Sequence, residues 1–219
     1  MEALARSGRP VVTLRRAVAA LRGEADLPGG AVVLTFDDGF RDNRDHALPV
    51  LRSFSFPASF FLPSALIESG QTIQRYAGCC DDDALMSWDE VREVAAAGQD
   101  VGGHGRTHRE LAALDTVELH EETAGCRREI AERIGRPPRF FCYPRGSESP
   151  AVRHAVEEAG FEAALTVAPG ANLRGIDPFG MCRTEVAADD TLGDFRCKLE
   201  GGFDGWHNLL RAAHALAGS

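Results

Sequence analysis

Two short stretches hold residue types that can do hydrolytic chemistry together. Asp37-Asp38-Gly39 closes the apolar run that begins at Ala31, and His104-Gly105-Arg106-Thr107-His108 follows well downstream, directly after Gly102-Gly103. One carboxylate with two imidazoles makes a three-ligand set for a divalent cation, with further positions left for water and substrate. The other carboxylate is then free to act as a base toward a water that the cation acidifies. Each stretch alone is weak, because Asp-Asp-Gly suits a solvated turn and two histidines four residues apart suit a helix surface. Their order, each behind a predicted strand, points to a metal-dependent hydrolase.

The elements that must position these groups alternate between strand and helix. Ala31–Phe36 and Ala58–Leu62 read as apolar strands, Gln99–Gly103 as a short strand delivering His104, and Arg139–Tyr143, Glu162–Val167 and Met181–Val186 as later strands. Between them, Leu14–Leu21 reads as a helix, and Asn43–Phe54 as a helix bent by Pro49. Ser87-Trp88-Asp89-Glu90 has capping-box spacing ahead of a helix that Gly98 closes. A helix from Asp115 ends near Gly135, Ser149-Pro150 opens another to Ala159-Gly160, and Asp194–Leu199 and Trp206–Leu216 are late helices. Such alternation implies an α/β fold with parallel strands, and both chemical stretches fall after strand C-termini, where these folds build their sites. Alternation alone does not separate a barrel from an open doubly wound sheet.

Composition narrows the class further. With 219 residues, 44% hydrophobic and 26% charged, the chain fits one domain with an ordinary core. A formal net charge of −9 argues against a nucleic-acid or anionic-membrane surface. No apolar stretch has transmembrane length. Met1–Pro10 is charged and lacks the apolar centre of a signal peptide, which favours the cytoplasm, although a chain trimmed of an export signal would read the same. The six cysteines follow no C-x-x-C spacing, and Cys79 and Cys80 are adjacent, so reduced thiols are expected. Asp81-Asp82-Asp83 is read as an exposed loop, His120 and His154 as solvated residues on helices, and His46 as a helix residue either on the surface or packed behind the first motif.

The chain resembles the polysaccharide deacetylase family, the NodB-like carbohydrate esterases. Thr35-Phe36-Asp37-Asp38-Gly39 is identical to that family's first motif, and Gly103–His108 resembles its second. Phe140-Phe141-Cys142-Tyr143-Pro144-Arg145-Gly146 resembles the aromatic-proline-glycine third motif. Further similarity runs from Ala31 to Val186, through Ala47–Leu51, Pro57–Phe61, Ser87–Glu90 and Glu158–Phe161. The resemblance implies one catalytic domain over residues 1–219, with a motif-bearing core at about 28–200. It implies a distorted (β/α) barrel of NodB type with about seven strands. It also implies removal of an N-acetyl, or an O-acetyl, group from a sugar, a glycan or a lipid-linked glycan. By carry-over, Asp37 is the base, and Asp38, His104 and His108 hold Zn2+, with Co2+, Ni2+, Mn2+ or Fe2+ also compatible. A backbone N–H near Arg145 would serve the oxyanion.

The match departs from the family in three places. Cys142 stands where many members carry an arginine that bonds the base, and is read here as a packing residue. Arg183, in the late strand, is the candidate to supply that cation to Asp37 from another direction. Arg145 replaces a frequent tyrosine, its side chain being free either for an acidic substrate group or for solvent. The late Leu-x-His motif that carries the general acid is missing, and His207 and His214 are the late histidines, each better read as helix surface. Trp206 is read equally as a sugar-site wall or a core anchor. Two other readings stand beside deacetylation: an amide or cyclic ureide or imide hydrolase on the same fold, and a catalytically silent glycan-binding member.

Overall fold

A computed structural model describes residues 1–73 and 84–202. Cys79, Cys80, Asp81-Asp82-Asp83 and the expected helix Trp206–Leu216, with His207 and His214, lie outside the described residues. Five strands, β1 (Leu34–Phe36), β2 (Ala58–Leu62), β3 (Asp100–Gly103), β4 (Phe140–Cys142) and β5 (Ala163–Leu165), form one sheet in chain order. Every neighbouring pair is parallel. Helices α1 (Glu2–Arg6) and α2 (Leu14–Leu21) precede β1, and α3 (Leu48–Phe54), α4 (Ser64–Ser69), α5 (Trp88–Ala96), α6 (Thr116–His120), α7 (Cys126–Ile134), α8 (Pro150–Glu158) and α9 (Leu192–Leu199) follow it. The result is a curled parallel half-barrel.

The strand count is five where about seven were expected, and the difference lies at the two edges. Single parallel bridges, Val11 with Val32 and Leu165 with Met181, extend the sheet by one residue on each side. The expected strand Met181–Val186 is bridged to β5 only at Met181, whose N donates to Ala164 O and whose O accepts from Thr166 N; Arg183 N then donates to Ala168 O. Along its outer edge the backbone groups of Cys182 are taken by the side chain of Asn172. Its Oδ1 accepts from Cys182 N at 2.8 Å and its Nδ2 donates to Cys182 O at 2.9 Å. The carboxamide thus makes the two bonds that a neighbouring strand would have made.

Side-chain alternation along each strand sorts the core into layers. Phe60 and Leu62 of β2 pack outward with Leu51, Val91, Val94 and Ile130 of the surrounding helices. Phe61, Phe140, Cys142 and Leu165 point the other way, into a cluster with Leu14 and Val18 of α2. Phe141 and Ala164 face Val152 and Val156 of α8. Gly102 is needed where it stands, since a Cβ there would lie 2.5 Å from the Phe61 ring and 2.8 Å from the Phe140 carbonyl oxygen. The ring fills the barrel interior over the bare backbone of β3.

Helix starts follow the sequence signals. Ser87 and Glu90 cap α5 reciprocally, and Ser149 caps α8 ahead of Pro150. Two helices contain wide π-helical stretches, Asn43–Ala47 before Pro49 and Glu121–Gly125 between α6 and α7. The first lets the chain enter α3 around a proline that cannot donate a helical hydrogen bond.

Candidate active site

The alternation that sorts the core also builds the site. Asp37 follows Phe36 on the inward face of β1, His104 follows Gly103 of β3, and Cys142 ends β4. Donor atoms of Asp37, His104 and Cys142 lie within 4.8 Å of one another, and so do those of Asp38, His104 and His108. Asp38 would face away from Asp37 on a regular strand. Left-handed backbone at Asp38 (φ 69°) and Gly39 (φ 71°) folds it back toward the same mouth. His108 (φ 57°) and Arg145 (φ 57°) share this conformation, so three of the four described non-glycine residues with positive φ are site residues. Backbone strain of this kind collects where side chains must be aimed.

The imidazole of His104 is fully buried, and its Nδ1 lies 2.7 Å from the Cys142 carbonyl oxygen, which accepts the proton there. Nε2 is then the ligand nitrogen. Asp38 Oδ1 lies 3.3 Å from His104 Nε2 and 3.0 Å from His108 Nε2. It is close to both yet aligned for a hydrogen bond with neither, a buried acceptor left unsatisfied. Ligand atoms about 2.0–2.1 Å from a tetrahedral ion stand roughly 3.3 Å apart, so this convergence fits a divalent cation. Burial acts to raise the Asp38 pKa, but the two imidazoles hold it well below the usual carboxylate range. Burial likewise disfavours an imidazolium at His104, yet Cys142, Asp38 and Asp37 around it raise its pKa well above the ordinary value.

Arg183 lies against Asp37. Its Nη1 donates to Asp37 Oδ1 and its Nη2 to Oδ2, both at 2.7 Å. The remaining guanidinium protons go to Thr35 Oγ1 at 3.2 Å, Thr166 O at 2.8 Å and Cys142 Sγ at 3.0 Å. All five donors of the planar fork are therefore matched. Burial opposes ionisation of Asp37, and the Arg183 bonds override it and depress the carboxyl pKa. Cys142 packs in the core, as its sequence setting implies, and its thiol also donates to Asp37 Oδ2 at 3.4 Å. A cysteine is small enough to leave room beside Asp37 for a guanidinium arriving from Met181–Arg183.

The Arg145 side chain is turned to the rim, where Nη1 pairs with Glu110 Oε1 at 2.5 Å and ties the loop after His108 to the loop after β4. Amides on either side of it, Tyr143 N and Gly146 N, donate to Leu165 O and Tyr143 O. Among the described residues the Arg145 amide has no acceptor. His46, His120 and His154 are exposed on helices, away from these groups. One site-adjacent residue had no signal in the sequence: Glu122, inside the long helix, is buried and accepts from the amides of Arg106 and Thr107 between the two histidines.

Fold and site together define an α/β half-barrel protein with an Asp-His-His cluster at the C-terminal ends of its strands. The chain belongs to the polysaccharide deacetylase family, whose model matches residues 24–164. It is 25% identical over 156 residues to the putative polysaccharide deacetylase YxkH of Bacillus subtilis, covering 71% of this chain and 51% of that protein. To the poly-beta-1,6-N-acetyl-D-glucosamine N-deacetylase of Escherichia coli K12 it is 33% identical over 94 residues, 42% of this chain and 14% of that one. The chain thus spans about half the length of the first relative and far less of the second. Among solved structures, IcaB from Ammonifex degensii superposes with a TM-score of 0.75 at 26% identity, covering 91% of this chain and 85% of that one.

Proposed function

We propose that the chain is a metal-dependent hydrolase that removes N-acetyl groups from a hexosamine-containing glycan. The observation that carries this reading is the unsatisfied Asp38 Oδ1 held 3.0 and 3.3 Å from two imidazole nitrogens, with the Arg183-bound Asp37 beside them. Asp38, His104 and His108 would hold the ion, for which Zn2+ best suits one carboxylate and two imidazoles. When bound, the ion supplies the positive charge that acidifies water and polarises the acetyl carbonyl.

The chain's own residues do the rest. Arg183 keeps Asp37 anionic, and Asp37 takes the proton of the attacking water. Oδ1 accepts one bond from the guanidinium, whereas Oδ2 accepts from both Arg183 and Cys142, so Oδ1 is the freer oxygen for that proton. The Arg145 amide, for which no acceptor is found among the described residues, is our candidate donor to the developing oxyanion. With no histidine assigned as acid, the proton held by Asp37 is the one available to the leaving amine. The poly-N-acetylglucosamine deacetylase named among the relatives supports an N-acetylated hexosamine polymer as the substrate class.

The test is to load the chelated protein with Zn2+ and assay acetate release from N-acetylglucosamine oligomers. Asp38→Ala, His104→Ala and His108→Ala are each expected to lose zinc and acetate release together. A variant that loses zinc but keeps full turnover would overturn the assignment.

A further inference from the structure

The loop that presents the two imidazoles is gripped from beneath by one carboxylate. Glu122 is 5% exposed and lies in the π-helical stretch Glu121–Gly125 between α6 and α7. Its Oε2 accepts from Arg106 N at 2.7 Å and Thr107 N at 3.0 Å, and Thr107 Oγ1 donates to its Oε1. A buried carboxylate is costly unless donors meet it, and here three donors from two consecutive residues do so. The fit between loop and helix is close on both sides. A Cβ at Gly105 would lie 2.9 Å from Glu122 Oε2, and a Cβ at Gly125 would lie 2.7 Å from Arg106 Cδ. The extra residue of a π-helical turn is a known way of aiming a side chain at a functional site.

Resting on the reading of Asp38, His104 and His108 as cation ligands, we propose that Glu122 is a positioning residue for the histidine pair. By holding the amides of Arg106 and Thr107 it fixes the turn that separates the two imidazoles, including the left-handed backbone at Gly105 (φ 71°) and His108 (φ 57°). The loop's other face is fastened independently, since Gly105 O and Arg106 O accept from Ser64 N and Ala65 N of α4 at 3.2 and 2.9 Å. Loss of Glu122 therefore loosens the turn locally and leaves the loop attached. The grip acts through hydrogen bonding to amides, so a glutamine can supply the same acceptor oxygen while its NH2 donates to the Thr107 hydroxyl.

The experiment uses the full chain, stripped with chelator and titrated with Zn2+ against a chromophoric competitor. Backbone amide exchange is measured in parallel on the metal-free protein. Glu122→Ala is expected to weaken zinc binding by about 10- to 100-fold, the usual scale for an outer partner of a metal ligand. It should also speed exchange at Arg106 and Thr107, while Glu122→Gln stays near wild type in both readouts. Wild-type zinc affinity in a folded Glu122→Ala protein overturns the proposal, and so does equal weakening by alanine and glutamine. Should Glu122→Ala not fold, Thr107→Val removes one of the three donors and is expected to weaken zinc several-fold; unchanged binding there overturns it as well. If the wild type takes up no zinc, the metal reading fails, and the amide exchange still decides whether Glu122 holds the turn.

Discussion

In the proposed reaction Asp37 meets two opposed demands: a general base must be ionised when substrate arrives, and it must still want a proton. Burial acts to raise the pKa of this carboxyl, and the bidentate Arg183 fork overrides it and lowers the pKa, at the expense of basicity. That balance relies, in the proposed reaction, on a water acidified by a cation, which is the reason for pairing base and ligand cluster in one reading. Asp37→Asn is expected to keep stoichiometric zinc and lose at least ~100-fold in kcat. Arg183→Lys should also lower kcat with zinc content unchanged, because an ammonium cannot match five donors in one plane. Near wild-type turnover in either variant, measured by acetate release, removes the corresponding role.

At the scale of elements, the site depends on strands that end in register around a filled interior. β3 is the narrow one: Gly102 leaves space for the Phe61 ring, and Gly103 lets Phe161, Cys126 and Phe141 approach within 3.0–3.1 Å of where a Cβ would be. Gly102→Ala is expected to destabilise the fold by about 1–3 kcal/mol, the scale of core overpacking against backbone and ring. Denaturant melting checks this; an unchanged midpoint would mean that the barrel can widen at β3. The Met181–Arg183 segment shows another device, a strand bridged to β5 at Met181 alone, its outer edge covered by the Asn172 carboxamide and its Arg183 side chain turned in toward Asp37. That single bridge could not be read from Met-Cys-Arg-Thr-Glu-Val, whose composition suits a longer strand.

Across the whole molecule, the sheet's two edges meet through one side chain. Arg183 from beyond β5 donates to Thr35 and Asp37 of the β1 segment, which draws the curled sheet together at the end that carries the Asp-His-His cluster. Asp100 begins β3, at the opposite end from the site. There burial raises its carboxyl above the ordinary value of 3.8 despite Arg136, Arg139 and Arg15 nearby. A raised folded-state pKa means that ionised Asp100 disfavours the native state at neutral pH, and that this penalty fades as pH falls through the folded pKa and is gone below the unfolded value. Asp100→Asn is therefore expected to raise the melting temperature at pH 7, with the gain shrinking as pH falls toward 3–4 in a series of thermal melts. A gain that grew on acidification would contradict the sign.

What the sequence determined by itself was the chemistry's inventory and the order of its carriers. Apolar runs named the strands, Ser87-x-x-Glu90 and Ser149-Pro150 named helix starts, and Asp37, Asp38, His104 and His108 stood where strands end. Those signals are local, because propensity, capping and alternation act over a few residues. Tertiary structure decided everything that couples distant segments. It set the five-strand count with bridged edges, the Asp38 carboxylate turned back beside Asp37, the Cys142 thiol between Arg183 and the base, and the buried Glu122 under the histidine turn. Each of these rests on a close approach between residues far apart in the chain, where packing and the need to satisfy buried polar groups outweigh any local preference.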